Sequence, residues 1–318
     1  MAESDEFLDE EESRDGLFMN SSKSRSVITP IRGLGNSSTL VLFLPGLSGN
    51  LSQWKLVIPQ IEDMPVDLAY GLPILPNPAL SHGKPTVTAI ARLTASELQR
   101  GKWKEVIIVS HSVGAFVALG IARILPEIVK EVILVNGGLA GVAQFLDHPA
   151  HELVTRPRTS LGALRLFVLV ATPMPPAAKK AIAKSKKASR FVLRGLVSDA
   201  ALESTEQRRI LMDESATPRV LKSLWDNRHH WQEFKGYAGE IRSKVLFLAG
   251  SRDSIGGEPG TQEMMALLPD AEMQVLPGVG HAAPLETTGA VAKGIRKAVE
   301  EAVPGHLVRS TAINEMAR

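Results

Sequence analysis

A short serine-containing turn between two apolar runs, at residues 110–114, constrains this chain more than any other feature. Residues 106–109 are Val-Ile-Ile-Val, which is typical of a buried strand, and the Ala- and Leu-rich residues 115–122 favour a helix. Ser112 therefore falls on a sharp strand-to-helix turn. Such a turn lifts the hydroxyl out of the sheet and places it at a helix N-terminus, where backbone N–H groups favour developing negative charge. Ser112 is the candidate nucleophile.

Taken alone, this turn leaves two interpretations open. The nucleophile elbow of the form Gly-x-Ser-x-Gly begins with glycine, whereas this chain has Ser110 there. The position demands little bulk because the strand and helix backbones cross closely, and serine is only slightly larger than glycine. The alternative is a serine that merely caps the helix, followed by Gly114 as a packing residue. The rest of the chain has to decide between them.

An acid and a histidine follow two later strand patterns. A serine hydroxyl is a weak nucleophile, so it needs a base and an acid that orients the base. Asp253 follows the apolar run 244–249, and His281 follows the run 272–277 in a glycine-rich loop. Each could be an ordinary turn, surface or packing residue. However, all three candidates lie beyond predicted strand ends, where open α/β sheets bind ligands, in the chain order Ser, Asp, His. The pattern predicts a catalytic triad.

The run at residues 39–44 is a further apolar strand pattern, and it leads directly into Pro45-Gly46. A tetrahedral intermediate needs two preorganised N–H donors for its oxyanion. The backbone N–H of Val113, directly after the nucleophile, is predicted to be one donor, and that of Leu47 in this loop the other. A plain strand-terminating turn is the alternative interpretation of the loop.

With these residues in place, the chain resembles an α/β-hydrolase fold protein with a Ser-His-Asp triad, over roughly residues 36–140 and 240–302. Its specific parts are the strand–Pro–Gly loop at 40–47, the elbow at 110–114, Gly-x-x-Asp at 250–253, and Pro-Gly-Val-Gly-His at 277–281 with Pro284 and Glu286 after it.

The resemblance implies that Ser112 is the nucleophile, His281 the general base and Asp253 the residue that orients the base. The chain departs from the family at Ser110, and at Pro45, where a histidine often precedes the oxyanion-loop glycine. Neither departure removes a reacting group.

Alternating strand and helix patterns predict the fold class: α/β, with a mostly parallel, doubly wound sheet of the α/β-hydrolase type and an inserted helical cap. Strands are predicted near 39–44, 65–69, 105–110, 131–136, 244–249 and 272–277, and helices near 51–62, 88–100, 113–125, 261–268 and 287–302. The predicted domains are a core at 27–140 and 240–303, a cap at 141–239, an acidic and serine-rich disordered tail at 1–26, and a C-terminal tail at 304–318.

Composition fits a globular enzyme of 318 residues with 44% hydrophobic residues. No cysteine is present, which excludes disulfides and a cysteine nucleophile. The apolar runs are too short to span a bilayer, and the acidic N-terminus is unlike the basic start of a signal peptide, so a cytoplasmic protein is expected, with peripheral membrane contact as a further option. No cofactor or metal is expected.

The predicted cap contains a strongly basic segment. Residues 153–198 include no acid and ten bases, all within 156–194, and residues 177–193 are predicted to form one helix after Pro175-Pro176. The segment could lie on an anionic membrane surface, bind an anionic group of the substrate such as a phosphate or a coenzyme A thioester, or dock the chain's own acidic tail. A solvated basic face is the simplest alternative. Nucleic acid is not expected, because no binding motif accompanies the bases.

Aromatic residues cluster later in the cap, at Trp225 and Trp231, with His229 and His230 between them. Trp225, His229 and Trp231 are predicted to contact the substrate. The alternative is that the two tryptophans anchor the cap to the core. The adjacent histidines point only weakly to a metal, because neighbours on a helix face different directions.

The sequence therefore predicts a serine hydrolase that cleaves a small carboxylic ester or thioester through an acyl-enzyme. An acyltransferase, a C–C hydrolase or a lyase would use the same triad. A ligand receptor or scaffold without turnover is the alternative of another class, since fold does not fix function.

Overall fold

The computed structural model describes residues 26–33, 35–46, 51–72, 86–156, 160–161, 164, 168, 174–194, 196–213, 222 and 226–302. The predictions for the tails at 1–26 and 304–318 fall outside these residues, apart from Ser26. Leu47 and Trp225 lie outside them as well.

A central sheet organises the described part of the chain. Its strands are β1 (Ile28–Arg32), β2 (Thr39–Leu44), β3 (Asp67–Gly71), β4 (Glu105–His111), β5 (Val129–Val135), β6 (Lys244–Gly250) and β7 (Ala271–Leu276). They lie in the order β1-β3-β2-β4-β5-β6-β7. Every neighbouring pair is parallel except β1 and β3, which are antiparallel.

Parallel strands covered on both faces are almost continuously apolar, and the central strands follow this rule. All six residues of β2 are buried, as are the last six of β4. The edge strand β1, with the sequence ITPIR, was not predicted. Its Pro30 and Arg32 interrupt the apolar pattern, which is typical of an edge, where a proline is tolerated.

Helices cover both faces of the sheet. In chain order they are α1 (Val87–Arg100), α2 (Gly114–Ile124), α3 (Ala140–Asp147), α4 (Pro149–Thr155), α5 (Pro176–Lys184), α6 (Lys186–Val192), α7 (Thr205–Asp213), α8 (His230–Tyr237), α9 (Glu258–Met265), α10 (Ala283–Glu286) and α11 (Thr288–Ala302). Side chains of α1, α2 and α8 share one apolar core with one face of the sheet, and α11 packs on the other face.

Two predicted helices are each divided into two in the structure. The segment 51–62 forms two short 3₁₀ helices, Leu51–Trp54 and Ile58–Ile61, the second with Pro59 in its first turn. The single helix predicted over 177–193 is divided into α5 and α6. Ser185 adopts an extended conformation between them, and its hydroxyl accepts a hydrogen bond from the Ala188 N–H, which starts the second helix.

Helices α3 to α8 lie between β5 and β6 in the chain. Apolar residues of α5, α6 and α7 form a small core of their own that includes Leu285 of α10. This contact matters for the site, because α10 directly follows the loop that carries His281. Among the described residues, no helix is both long and apolar enough to cross a bilayer.

Candidate active site

Ser112 lies at the end of β4 and two residues before α2, as the sequence predicts. Its φ is +51°, a left-handed conformation that side chains other than glycine rarely adopt. The conformation is held by a hydrogen bond of 3.1 Å from the Ser112 N–H to the carbonyl of Val135 on the neighbouring strand. Strain of this kind at a strand-to-helix turn is characteristic of a nucleophile elbow.

Small residues allow the backbones to cross at this turn. A Cβ atom placed on Gly114 would lie 2.4 Å from the Pro45 carbonyl oxygen, and one placed on Gly46 would lie 3.3 Å from the Ser112 Cβ. Any larger residue at Gly114 would push the turn away from the β2 loop. Ser110 is fully buried, and its hydroxyl has no hydrogen-bond partner among the described residues. The turn therefore has room for a side chain slightly larger than that of glycine.

Ser112, His281 and Asp253 form a continuous hydrogen-bonded chain. The Ser112 Oγ lies 2.9 Å from His281 Nε2, and His281 Nδ1 lies 2.9 Å from Asp253 Oδ2. A carboxylate only accepts, so Nδ1 carries the proton and Nε2 is left to accept the serine proton. The second oxygen of Asp253 accepts a hydrogen bond of 2.8 Å from the Ile255 N–H, which fixes the carboxylate.

The electrostatics around His281 suit a general base. Burial is the largest single effect and lowers the pKa of His281, but the charge and hydrogen bond of Asp253, with the charge of Glu286, outweigh it. The net result is a pKa above the usual value for histidine. The imidazole therefore holds a proton more readily than a free histidine does, which favours the proton transfer needed to activate Ser112.

His111, the residue before Ser112, supports the histidine loop. Its Nε2 donates a hydrogen bond of 2.8 Å to the carbonyl oxygen of His281. The pKa of His111 is lowered to about 3, chiefly by burial and also by the positive charge that His281 can carry. His111 therefore stays neutral at physiological pH. Its Nδ1 is buried with no partner in the described part of the chain, and a Cβ placed on Gly46 would lie 2.9 Å from it.

Glu286 holds the backbone on both sides of His281. One carboxylate oxygen accepts the N–H of Gly280 at 2.7 Å and the N–H of Ser198 at 3.0 Å, and the other accepts the N–H of Ala282 at 3.0 Å. The His281 N–H donates to the carbonyl of Leu196 at 2.7 Å. The segment 196–198, between β5 and β6 in the chain, is therefore tied directly to the loop of the candidate base.

Asn136, directly after β5, joins the two loops that carry the acid and the base. It is fully buried and has a φ of +48°. Its side-chain N–H₂ donates to the carbonyls of Gly280 and His281 at 2.7 and 2.9 Å, and its side-chain oxygen accepts the Gly250 N–H at 2.7 Å. In the sequence, only its position between the apolar run of β5 and Gly137-Gly138 points to a role at the site.

The predicted oxyanion donors are only partly described. Val113 directly precedes α2, and its backbone N–H has no acceptor within the described residues. Such a donor beside the Ser112 hydroxyl is free to bind a developing oxyanion. Leu47 lies outside the described residues, next to Gly46, so its role stays a prediction.

Among the described residues, no contact links the aromatic cluster of the predicted cap to the triad. Trp231 is buried in the core that α2 shares with the sheet, and its ring centroid lies 5.6 Å from that of Phe234. The His229 side chain is 59% exposed, and its Nδ1 lies 2.9 Å from an Asp147 oxygen. Their predicted substrate contacts stay untested, as do those of Trp225. Within the described residues, no cluster of His, Asp and Glu is placed to hold a metal ion.

Comparison with known proteins identifies the family. The chain belongs to the alpha/beta hydrolase family, whose model matches residues 41–293. The resemblance and the fold class predicted from the sequence are thereby confirmed. A search of curated proteins finds no match.

Solved structures share the fold at low sequence identity. MenH from S. aureus is 17% identical, with a TM-score of 0.58 over 87% of this chain and 99% of that one. Est816, described as an N-acyl homoserine lactone degrading enzyme, is 16% identical, with a TM-score of 0.57 over 85% and 96%. A meta-cleavage product hydrolase from Pseudomonas fluorescens IP01 is 15% identical, with a TM-score of 0.57 over 87% and 94%. The last two are described by different substrates, an N-acyl homoserine lactone and a meta-cleavage product.

Proposed function

We propose that this protein is a serine hydrolase that cleaves a small carboxylic ester or thioester through an acyl-enzyme. The observation that carries the proposal is the hydrogen-bonded chain from Ser112 Oγ through His281 to Asp253, with both contacts at 2.9 Å. Family membership supports an enzyme of the hydrolase class. An ester or thioester fits this nucleophile, because an activated serine attacks an acyl carbonyl carbon.

Acylation uses all three side chains. Ser112 Oγ attacks the carbonyl carbon while His281 Nε2 takes its proton, and the carboxylate of Asp253 stabilises the imidazolium that forms. The carbonyl oxygen becomes an oxyanion, which the N–H groups of Val113 and Leu47 are proposed to bind. The tetrahedral intermediate then collapses, and His281 returns the proton to the departing alkoxide or thiolate.

Deacylation repeats these steps with water. The alcohol or thiol leaves, and a water molecule donates a proton to His281 Nε2 as its oxygen attacks the acyl carbon. Collapse of the second intermediate returns the proton to Ser112 Oγ and releases the carboxylic acid. The segment 196–198, held against the His281 loop by Glu286, is proposed to be part of a cap over this edge of the sheet.

Labelling with a fluorophosphonate probe tests the nucleophile, and turnover of short p-nitrophenyl esters tests the reaction. Ser112→Ala should lose labelling and at least about 10⁴-fold in turnover. Ser110→Ala is the matched control, because Ser110 is buried two residues away at the end of β4 and its hydroxyl makes no hydrogen bond with any described residue. Labelling that survives in Ser112→Ala would overturn the proposal. A folded wild-type protein with neither labelling nor turnover would favour a receptor on this fold.

Acyl transfer uses the same acyl-enzyme and differs only in the acceptor. An added alcohol or thiol that diverts most of the product from acid to ester at low acceptor concentration would identify a transferase. A hydrolase should release the free acid whatever small acceptor is added, because water is its acceptor.

A further inference from the structure

The outer surface of α5 and α6 combines bare positive charge with an exposed aromatic ring. Lys180 and Lys184 are four residues apart on α5, and Lys187 and Phe191 are four apart on α6, so each pair shares a helix face. The three lysines are exposed, and Phe191 is 82% exposed. Arg194 follows within one helical turn of Phe191. We call these five residues the α5–α6 face.

The α5–α6 face is held in place by its inner side. Ala183 and Leu193 are buried in a small apolar core with residues of α7 and with Leu285. The Arg208 side chain donates to the Ala183 carbonyl at 2.7 Å. The inner side of these helices is thus held by packing, while the three lysines and the phenyl ring stay exposed.

The charge of this face is not neutralised by nearby acids. Lys186 and Arg190, on the sides of α6, pair with Glu203 and Asp199. Lys180, Lys184, Lys187 and Arg194 form no ion pair with any described residue. The sequence from 153 to 198 contains no acid at all, so this segment offers them no partner.

We propose that the α5–α6 face docks on an anionic lipid bilayer. Anionic headgroups attract lysines close to the surface, and a phenyl ring projecting among them enters the boundary between headgroups and acyl chains. A small soluble anion would satisfy the lysines but would gain nothing from an exposed phenyl ring. The combination of the two therefore favours a membrane surface over a phosphate-bearing soluble ligand.

The docking face is close in the chain to the candidate active site. Leu196 and Ser198, two and four residues after Arg194, hydrogen-bond to His281 and Glu286. Docking of α6 therefore brings the segment 196–198, which contacts the His281 loop, close to the lipid surface. Binding itself is independent of the function proposed above, because none of the five residues belongs to the triad.

Vesicle flotation of the full chain tests this proposal. Wild type should float with vesicles of phosphatidylcholine mixed with phosphatidylglycerol and stay behind with phosphatidylcholine alone. The triple variant Lys180→Gln, Lys184→Gln, Lys187→Gln should lose roughly 100-fold in partitioning, since each lysine near the surface contributes about fivefold. The matched control is Lys102→Gln, Lys235→Gln, Lys293→Gln, which removes equal charge from exposed positions elsewhere.

Further variants separate the proposal from its alternatives. Phe191→Ala should weaken flotation, whereas Ile124→Ala, at a 40% exposed position of α2, should not. Ser112→Ala should float like wild type, so failure of the proposed chemistry leaves this test intact. Equal flotation with both vesicle types, or equal loss in the two triple variants, would overturn the proposal. In a further variant, the eight Asp and Glu residues within 3–15 are replaced by Asn and Gln. If only this variant floats, the proposal is overturned, because the acidic segment itself would then occupy the α5–α6 face.

Discussion

The side chain of His111 donates a hydrogen bond of 2.8 Å to the backbone carbonyl of His281, so the residue before the candidate nucleophile supports the candidate base. The two rings lie 5.1 Å apart at their centroids but have opposite electrostatic settings. His111 has its pKa lowered to about 3, chiefly by burial. Burial also lowers the pKa of His281, yet Asp253 raises this pKa above the usual value for histidine. Only one of these neighbours can act as a base near neutral pH.

This difference predicts the pH dependence of activity. Turnover requires neutral His281, so kcat/KM should fall as pH falls through a single ionisation with a pKa above 6.5. His111 should add no second ionisation, because it stays neutral until far lower pH. A pH–rate profile of p-nitrophenyl ester hydrolysis checks this. Two ionisations on the acid side, or one well below 6.5, would contradict the assignment.

Removing the charge of Asp253 should impair both the rate and the titration of the base. Asp253→Asn should lower kcat by about 10⁴-fold, because the amide favours the wrong tautomer of His281. It should also move the acid limb of the profile to lower pH, since the Asp253 charge raises the pKa of His281. Asp270→Asn, at an exposed position, is the control. An unchanged acid limb in Asp253→Asn would mean that another group titrates.

Glu286 should act on the reaction through the position and the charge of His281. Glu286→Gln retains the size of the side chain but weakens its acceptance of three backbone N–H groups. A slight displacement of the base should lower kcat by about 10- to 100-fold with little change in KM. The acid limb should also move to lower pH, because the Glu286 charge contributes to the raised pKa of His281.

A pH-profile shift distinguishes this positioning role from a general loss of stability, which would leave the profile in place. Glu300→Gln on the exposed side of α11 is the matched control. A fall in kcat without the shift would leave Glu286 as a structural residue only.

The close approach of the two backbones at the elbow should require glycine at position 114. Gly114→Ala should destabilise the fold by about 1–3 kcal/mol and lower turnover, because its Cβ would lie 2.4 Å from the Pro45 carbonyl oxygen. Gly236→Ala in α8 is the control, since nothing lies within 4 Å of its Cβ position and alanine favours a helix. Thermal unfolding of both variants checks this, and equal midpoints would count against the described turn.

Two buried histidines should govern stability in mild acid. Burial lowers the pKa of His111 to about 3 and that of His230 to about 4. Below about pH 6.5 these two histidines therefore bind protons in the unfolded chain but not in the folded one. As the pH is lowered, each should decrease the free energy of unfolding by up to about 1.4 kcal/mol per pH unit. His281 adds no slope in this range, because its raised pKa leaves it protonated in both states.

Urea unfolding between about pH 6 and 4 measures this slope. His230→Gln removes one of the two titrating histidines and should lower the slope by up to about 1.4 kcal/mol per pH unit. Glu131, whose pKa burial raises to about 7, opposes the slope equally in wild type and variant. His151→Gln, at an exposed position, should leave it as in wild type. Equal slopes in all three proteins would refute the neutral state of His230.

The sequence predicted most of the parallel sheet, because buried central strands are continuous apolar runs. It also predicted Ser112, Asp253 and His281 as a group, because each follows such a run, and the structure brings these three side chains into hydrogen-bonding distance. Their catalytic roles stay predictions. Strand β1 was missed because Pro30 and Arg32 hide a short edge strand.

The supporting residues could not be predicted in the same way. Asn136 and Glu286 act through backbone groups that are far away in the chain, at Gly250 and Ser198 respectively. No local spacing encodes such contacts, since they arise only when the loops at the sheet edge meet. The break between α5 and α6 was missed because a serine such as Ser185 can either continue a helix or cap a new one.

Peptide mass spectrometry of the wild-type protein after fluorophosphonate treatment identifies the nucleophile directly. We expect one phosphonyl group per chain, located on Ser112 and absent when Asp253→Asn or His281→Ala disables the base during a short exposure. A phosphonyl group on Ser110 or on any other residue, or no modification of a folded wild-type chain, would contradict the assignment of Ser112 as the nucleophile.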